Sequence, residues 1–133
     1  VKHGPFTIGE ADLIWLAGLL EGEGTFDLHR GKYPRIRVGM TDRDVVGRAA
    51  TLMGSRIRMT ISKVHKTTFH AEVSGDRAAD IMRALLPHMG ARRSSKIGDI
   101  LGGLAFRREG LENRVSFPGP SLTRPPGTRA PAA

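Results

Sequence analysis

Cysteine is absent from the 133 residues, which excludes disulfides and thiolate metal sites. Aromatic side chains make up only 5% of the chain, with one Trp and one Tyr, so Leu, Ile, Val and Met must fill the interior. Long hydrophobic runs are missing too. The apolar stretch Leu13 to Leu20 falls far short of the roughly 20 residues that cross a bilayer. The first residues also lack the charged segment followed by a long apolar region that marks a secretory leader. The expectation is a soluble intracellular protein of the cytoplasm, with no membrane partner and no small-molecule cofactor.

Acidic residues are scarce where basic ones concentrate. Net charge is +8 and the isoelectric point near 11.0, which points to a polyanionic partner such as nucleic acid. Between Arg30 and Lys66 ten Lys or Arg face only Asp42 and Asp44, whereas residues 1–27 set Lys2 against five acids. The charge therefore belongs to the middle of the chain, and the segment before it is locally acidic.

That first segment contains a physical conflict. Leu13 to Leu20, LIWLAGLL, is apolar almost all the way round, so a helix built from it has no obvious solvent face. Thr7 and Glu10 form the T-x-x-E pattern of a capping box at its start, and Gly24 suits the position just past its end. Glu21 and Glu23 then fall in the last turn, where aligned peptide dipoles make the helix end negative and basic residues are favoured. A divalent cation or a nearby basic group is needed to compensate them.

The segments that follow alternate with the period of half-buried strands. In TFDLHR, Phe26 and Leu28 oppose Thr25, Asp27 and His29; after a turn at Gly31 and Lys32, Ile36, Val38 and Met40 oppose Arg35, Arg37, Gly39 and Thr41. Thr41 and Asp44 open a second helix whose apolar stripe ends at Gly54. RIRMTISKV turns Ile57, Met59 and Ile61 inward and Arg56, Arg58, Thr60 and Ser62 outward; TTFHAEV turns Phe69, Ala71 and Val73 inward and Thr68, His70 and Glu72 outward. A third helix begins at Asp76 and a fourth spans about Arg93 to Arg107. From Gly110 onward Pro, Gly, Ser and Arg dominate, too polar to bury a core. The expected organisation is one domain over residues 1–109 and a flexible tail over residues 110–133.

The fold class expected is α+β, in the order α-β-β-α-β-β-α-α, with a four-stranded antiparallel sheet covered by helices on one face. Its open face displays His29, Arg35, Arg37, Arg56, Arg58, Thr60, Ser62, Thr68 and His70, a basic hydrogen-bonding surface suited to duplex DNA. Phe26 and Phe69 fall on the covered side, so stacking of unpaired bases is disfavoured. Residues His65 and His70, five apart along a strand, project to opposite faces and do not make a zinc pair.

LAGLLEGEG, Leu16 to Gly24, resembles the LAGLIDADG signature of homing endonucleases. It matches at Leu16, Ala17, Gly18, Leu19 and Gly24, with Leu20 for isoleucine and glutamates at both acid positions. The resemblance covers residues 8–105 and implies the α-β-β-α-β-β-α core already read from the periodicity. It also implies that two copies of the motif helix pack about a two-fold axis through Leu16, Ala17, Gly18, Leu19 and Gly22, with Gly18 and Gly22 letting the backbones approach. A second motif is not present. LGGLAFRREG, from Leu101, has Phe106 and Arg108 at the acid positions, so a homodimer is implied.

The same resemblance makes Glu23 the ligand of Mg²⁺, one from each subunit, and leaves Glu21 an auxiliary electrostatic role. It offers Arg92 as the basic residue beside the phosphate, with Arg93 and Lys96 as further DNA contacts, and Thr41 in place of the polar residue that positions water. The implied activity is site-specific, Mg²⁺-dependent cleavage of double-stranded DNA. Alternatives on the same fold are a non-cleaving DNA-binding regulator and an RNA maturase; a ligand-binding regulatory module would need a pocket in place of the basic sheet.

Overall fold

The computed structural model describes residues 6–62, 64 and 66–112, with side chains through residue 104. The tail beyond residue 112 and His65 lie outside the described residues. Two units divide the chain, residues 1–101 and 102–133. In the second, the described residues are helical.

The elements run α1 (Glu10–Glu23), β1 (Gly24–His29), β2 (Tyr33–Met40), α2 (Arg43–Met53), β3 (Ile57–Ile61), β4 (Thr67–Ser74), α3 (Asp76–Leu85), a 3₁₀ turn (Leu86–His88) and α4 (Ala91–Glu112). This is the expected order, and the fold is α+β. The strands form one antiparallel sheet in the order β1-β2-β4-β3. Two hairpins thus meet through their second strands, β2 and β4, which lie at the centre.

The period-two pattern works as expected on β1, β2 and β4. Phe26, Ile36, Val38, Ala71 and Val73 are buried on the inner face. They pack against Leu16 and Leu20 of α1, Val46, Ala49 and Met53 of α2, Ile81, Met82 and Leu85 of α3, and Ile97 and Ile100 of α4. The buried core contains no polar or charged residue among those described, so apolar burial alone drives this layer together.

β3 departs from the expectation. Ile57 is half-buried over α2, its Cδ1 lying 3.4 Å from where a Cβ on Gly47 would stand. Met59 and Ile61 are exposed by 57% and 64%. Alternation gives each residue a side, but β3 is the sheet edge, and the helices cover its inner side only at the Ile57 end.

The start of α1 is a second correction. No capping box forms. Gly9 is the cap, its carbonyl accepts the Leu13 N–H at 2.9 Å, and no side chain caps the end. Glu10 and Asp12 in the first turn still suit the positive end of the dipole. Arg48 of α2 stacks over the Trp15 ring at 4.0 Å and bonds Asp12 at 3.1 Å, tying α1 to α2.

The junction between α1 and β1 depends on the absence of a side chain at Gly24. Its backbone is extended, so conformation does not demand glycine. Space does: a Cβ there would lie 2.8 Å from Leu20 Cδ2 and 2.9 Å from the Leu20 carbonyl oxygen. The chain can therefore leave the helix and enter the sheet without a linking residue.

Candidate nucleic-acid interface and catalytic site

Strand register turns the outer sheet face into defined rows. Thr25, Arg37 and Glu72 lie abreast on β1, β2 and β4; Asp27, Arg35 and Ser74 form the next row; Gly39, His70 and Arg58 cross β2, β4 and β3; Thr68 faces Thr60. His29, Arg35, Arg37, Arg58, Thr60, Thr68 and His70 thus share one face. Arg56 and Ser62 sit just outside the two ends of β3, both exposed. The Ser62 hydroxyl accepts the Lys66 N–H at 3.2 Å, closing the β3 to β4 turn.

The face is not uniformly basic. Asp27 takes two bonds from Arg35, at 2.9 and 3.0 Å, and one from Arg37 at 2.9 Å. Arg35 also contacts His29 Nδ1 at 2.9 Å and lies 3.9 Å from Glu72. The bidentate bond from Arg35, with the charges of Arg35 and Arg37, holds the Asp27 carboxyl below its usual range against the opposing effect of burial. The hydrogen bond to Asp27 likewise raises the Arg35 guanidinium, again against burial. Arg35 is consequently a braced side chain, 18% exposed, while Arg37 is 45% exposed with donors to spare. Alternation alone puts Asp27 and Glu72 outward; their pairing across strands needed the register.

Glu23 ends α1 with its side chain exposed at the rim of this face. It borders an open depression of about 410 Å³ together with Thr25, Arg37, Arg58, His70 and Glu72. His70 lies across Gly39, where a Cβ would come within 2.7 Å of Nδ1, and its Nε2 meets the Thr60 hydroxyl at 3.1 Å. Thr41 is not among the lining residues. It lies exposed after β2, and its hydroxyl donates to Asp42 at 3.4 Å. His70, Arg37 and Arg58, expected as DNA contacts, are among the side chains that share the depression with Glu23.

Arg92 and Lys96 are exposed on the first turns of α4 and line a second depression of about 510 Å³ with Thr25, Asp27 and Asp99. Thr25 borders both depressions. Arg93 lines the second depression too, but two of its donors are engaged inside the protein. Its Nε donates to the Glu21 carbonyl at 3.2 Å, its Nη1 donates to the Gly24 carbonyl, and its guanidinium lies 5.8 Å from the centre of the Phe26 ring. The negative end of α1 is thereby answered by a basic group, one of the two compensations the sequence called for.

The expected dimer face also divides. Leu16 and Ala17 are buried in the protomer's own core and do not reach its surface. Leu19 is half-buried. Gly18 and Gly22 are exposed, and a Cβ at either would meet nothing within 4 Å. Ile14, one turn before Gly18, is 51% exposed. The open stripe of α1 is therefore Ile14, Gly18 and Gly22. Among the described residues no group of three or more carboxylates or imidazoles could hold a metal ion within one chain.

No family model and no curated protein matches the sequence. Solved structures do. The archaeal intron-encoded homing endonuclease I-Vdi141I, complexed with DNA, matches with a TM-score of 0.55 and 18% identity over 77% of this chain and 73% of its own. The homing endonuclease I-TnaI gives 0.55 and 15% over 74% of each chain. The group I intron-encoded homing endonuclease I-CeuI, complexed with DNA, gives 0.56 and 12% over 80% of this chain and 60% of its own, less than two thirds of its length. At such identities the likeness defines the fold. The chain has the homing-endonuclease fold that the LAGLLEGEG motif implied.

The Asp27 network supplies a pH-dependent contribution to stability. Its carboxyl is lowered in the folded protein, so the contribution is complete above the unfolded value, about pH 4, and is lost as pH falls through the lowered folded value. Thermal melts of wild type and Asp27→Asn between about pH 6 and pH 2 should converge at the acid end, wild type falling more steeply. Parallel curves would show that the network contributes nothing to folding.

Proposed function

We propose that the protein is a homodimeric, divalent-metal-dependent endonuclease that binds double-stranded DNA across the outer sheet face and cuts it with Glu23 at the centre. One observation carries the reading: an exposed carboxylate at the end of α1 lies between an arginine-bearing sheet face and the open Gly18 and Gly22 stripe of the same helix. A second copy packed on that stripe would bring two Glu23 side chains together beside bound duplex.

Mg²⁺ suits this donor set, because it binds through one or two carboxylates together with substrate phosphates and needs no closed protein cage. When bound it supplies charge neutralisation at the phosphate and activation of water. Glu23 would hold it. Arg92, exposed on the first turn of α4, would stabilise negative charge on the phosphate, keeping its own proton throughout. Lys96 would contact the backbone nearby. Arg37 and Arg58 have the exposure to reach base edges, where an arginine fork pairs with guanine, and Arg35, braced by Asp27, would set the direction of Arg37. Thr60, Thr68, Ser62, Arg56 and His29 would add hydrogen bonds and charge along the groove. Thr41 is proposed as a substrate contact at the end of β2. Duplex DNA as partner makes the protein intracellular, associated with the nucleoid.

A non-cleaving DNA-binding protein on the same fold is the second reading. The placement of Thr41 outside the depression that holds Glu23 favours it.

Replacing Glu23 by Gln separates the two. Binding measured in Ca²⁺ should be unchanged or tighter, while Mg²⁺-dependent cutting of a bound duplex falls by about a hundredfold or more. Equal cutting by Glu23→Gln and wild type would remove Glu23 from the chemistry.

The dimer has its own test. A Cβ at Gly18 would meet nothing of its own protomer within 4 Å, so a bulky substitution there projects toward the proposed second copy. Sedimentation should show a wild-type dimer and a folded Gly18→Leu monomer, with a wild-type melting temperature that rises with protein concentration and a Gly18→Leu one that does not. A wild-type monomer, both free and on a palindromic duplex, would contradict the arrangement.

A further inference from the structure

Glu21 is the acid of the motif that the proposed chemistry leaves unused, yet it is the better anchored of the two. Its Oε1 accepts the Gly90 N–H at 2.8 Å. Gly90 immediately precedes α4, and its own carbonyl accepts the Ser94 N–H at 2.8 Å, so Glu21 reaches across 69 residues to the cap of another helix. The fit is close: a Cβ at Gly90 would lie 3.1 Å from Glu21 Oε2. From the first turn of α4 Arg93 reaches back, donating to the carbonyls of Glu21 and Gly24. Glu23 lies between those two carbonyls along the chain. Among the described residues its own carboxylate has no hydrogen bond, so the direction of its backbone is set from α4.

We propose that Glu21 and Arg93 form a latch between α1 and α4 that positions Glu23, and that Glu21 serves in it as a hydrogen-bond acceptor whose charge is dispensable. The proposal rests on the nuclease reading given above. Three bonds bracket Glu23, two before it at Glu21 and one after it at Gly24. Side chains two apart on a helix point about 200° away from each other, so Glu21 can face α4 while Glu23 faces the sheet rim and the dimer axis. A displacement of about 1 Å at a reacting group costs about a hundredfold in rate, whereas binding spread over a sheet face hardly notices it. The latch residues are therefore positioning residues, and their loss should appear in turnover and not in affinity.

The test compares Glu21→Gln, Glu21→Leu and Arg93→Lys in the full-length dimer, with duplex affinity measured in Ca²⁺ and single-turnover cutting measured in Mg²⁺. Gln keeps an oxygen at the same reach and discards the charge; Leu keeps the bulk and discards the acceptor. Turnover should stay within about threefold of wild type for Glu21→Gln and fall by about a hundredfold for Glu21→Leu, with affinity within about twofold for both. Lys at position 93 keeps the charge but can donate well to only one of the two carbonyls, so Arg93→Lys should lose about tenfold in turnover at unchanged affinity. Hydrogen exchange at the Gly90 amide reads the latch without any cutting: protection should survive in Glu21→Gln and vanish in Glu21→Leu. If Glu21→Gln is as inactive as Glu21→Leu, charge is the working property and the proposal falls. It falls equally if Glu21→Leu cuts like wild type, or if affinity drops in step with turnover. A wild type that never cuts overturns the nuclease reading itself, which a cutting wild type with an indifferent Glu21 series would leave intact.

Discussion

The carboxyl end of α1 carries the negative end of a helix dipole and two glutamates at once, and the sheet side of the molecule is organised around how that charge is met. Arg93 donates to the carbonyls of Glu21 in the last turn and of Gly24 just past it, and the Gly90 amide donates to the Glu21 side chain. Both partners come from the start of α4. The absence of a side chain at Gly24 then lets β1 begin directly against Leu20. The result is a helix end held from two directions with one exposed carboxylate, Glu23, delivered to the rim of the sheet.

The outer face is a mixed network more than a basic patch. Asp27 ties down Arg35 and shares its second oxygen with Arg37, while Arg58 stands exposed on the edge hairpin. In the proposed DNA complex such an arrangement would trade some attraction to phosphate for directed donors, because a braced guanidinium loses less conformational freedom on meeting a base edge. His70 adds a further constraint. Its Nδ1 side lies against Gly39 of β2 and its Nε2 meets Thr60 of β3 on the other side, so the penultimate position of β2 is kept free of a side chain for the benefit of β4.

Element order, sheet face and the glutamate conflict were all legible in the sequence, because each depends on local periodicity or on a dipole argument that needs no partner. Pairings were not. Alternation placed Asp27, Arg35 and Arg37 outward, but only strand register sets Asp27 against Arg35. It assigned Met59 and Ile61 an inner side without showing that the helices stop short of the β3 edge. An all-apolar α1 suggested two buried faces; Leu16 and Ala17 fill the protomer core, and the opposite side is a stripe of glycine and Ile14. Arg93 read as a further DNA contact beside Arg92, because nothing local marks a residue with partners about 70 positions away. Thr41, offered by analogy as a polar residue that positions water, bonds its neighbour Asp42 and lies outside the depression that Glu23 borders.

The most direct measurement is incubation of the wild-type protein with a randomised duplex library in Mg²⁺, followed by sequencing of the cut ends. The account predicts defined double-strand breaks at the centre of palindromic or nearly palindromic sites, because two identical sheet faces read the two half-sites and two Glu23 carboxylates meet between them. Recovery of bound but uncut duplexes, or of cut sites without two-fold symmetry, would contradict it.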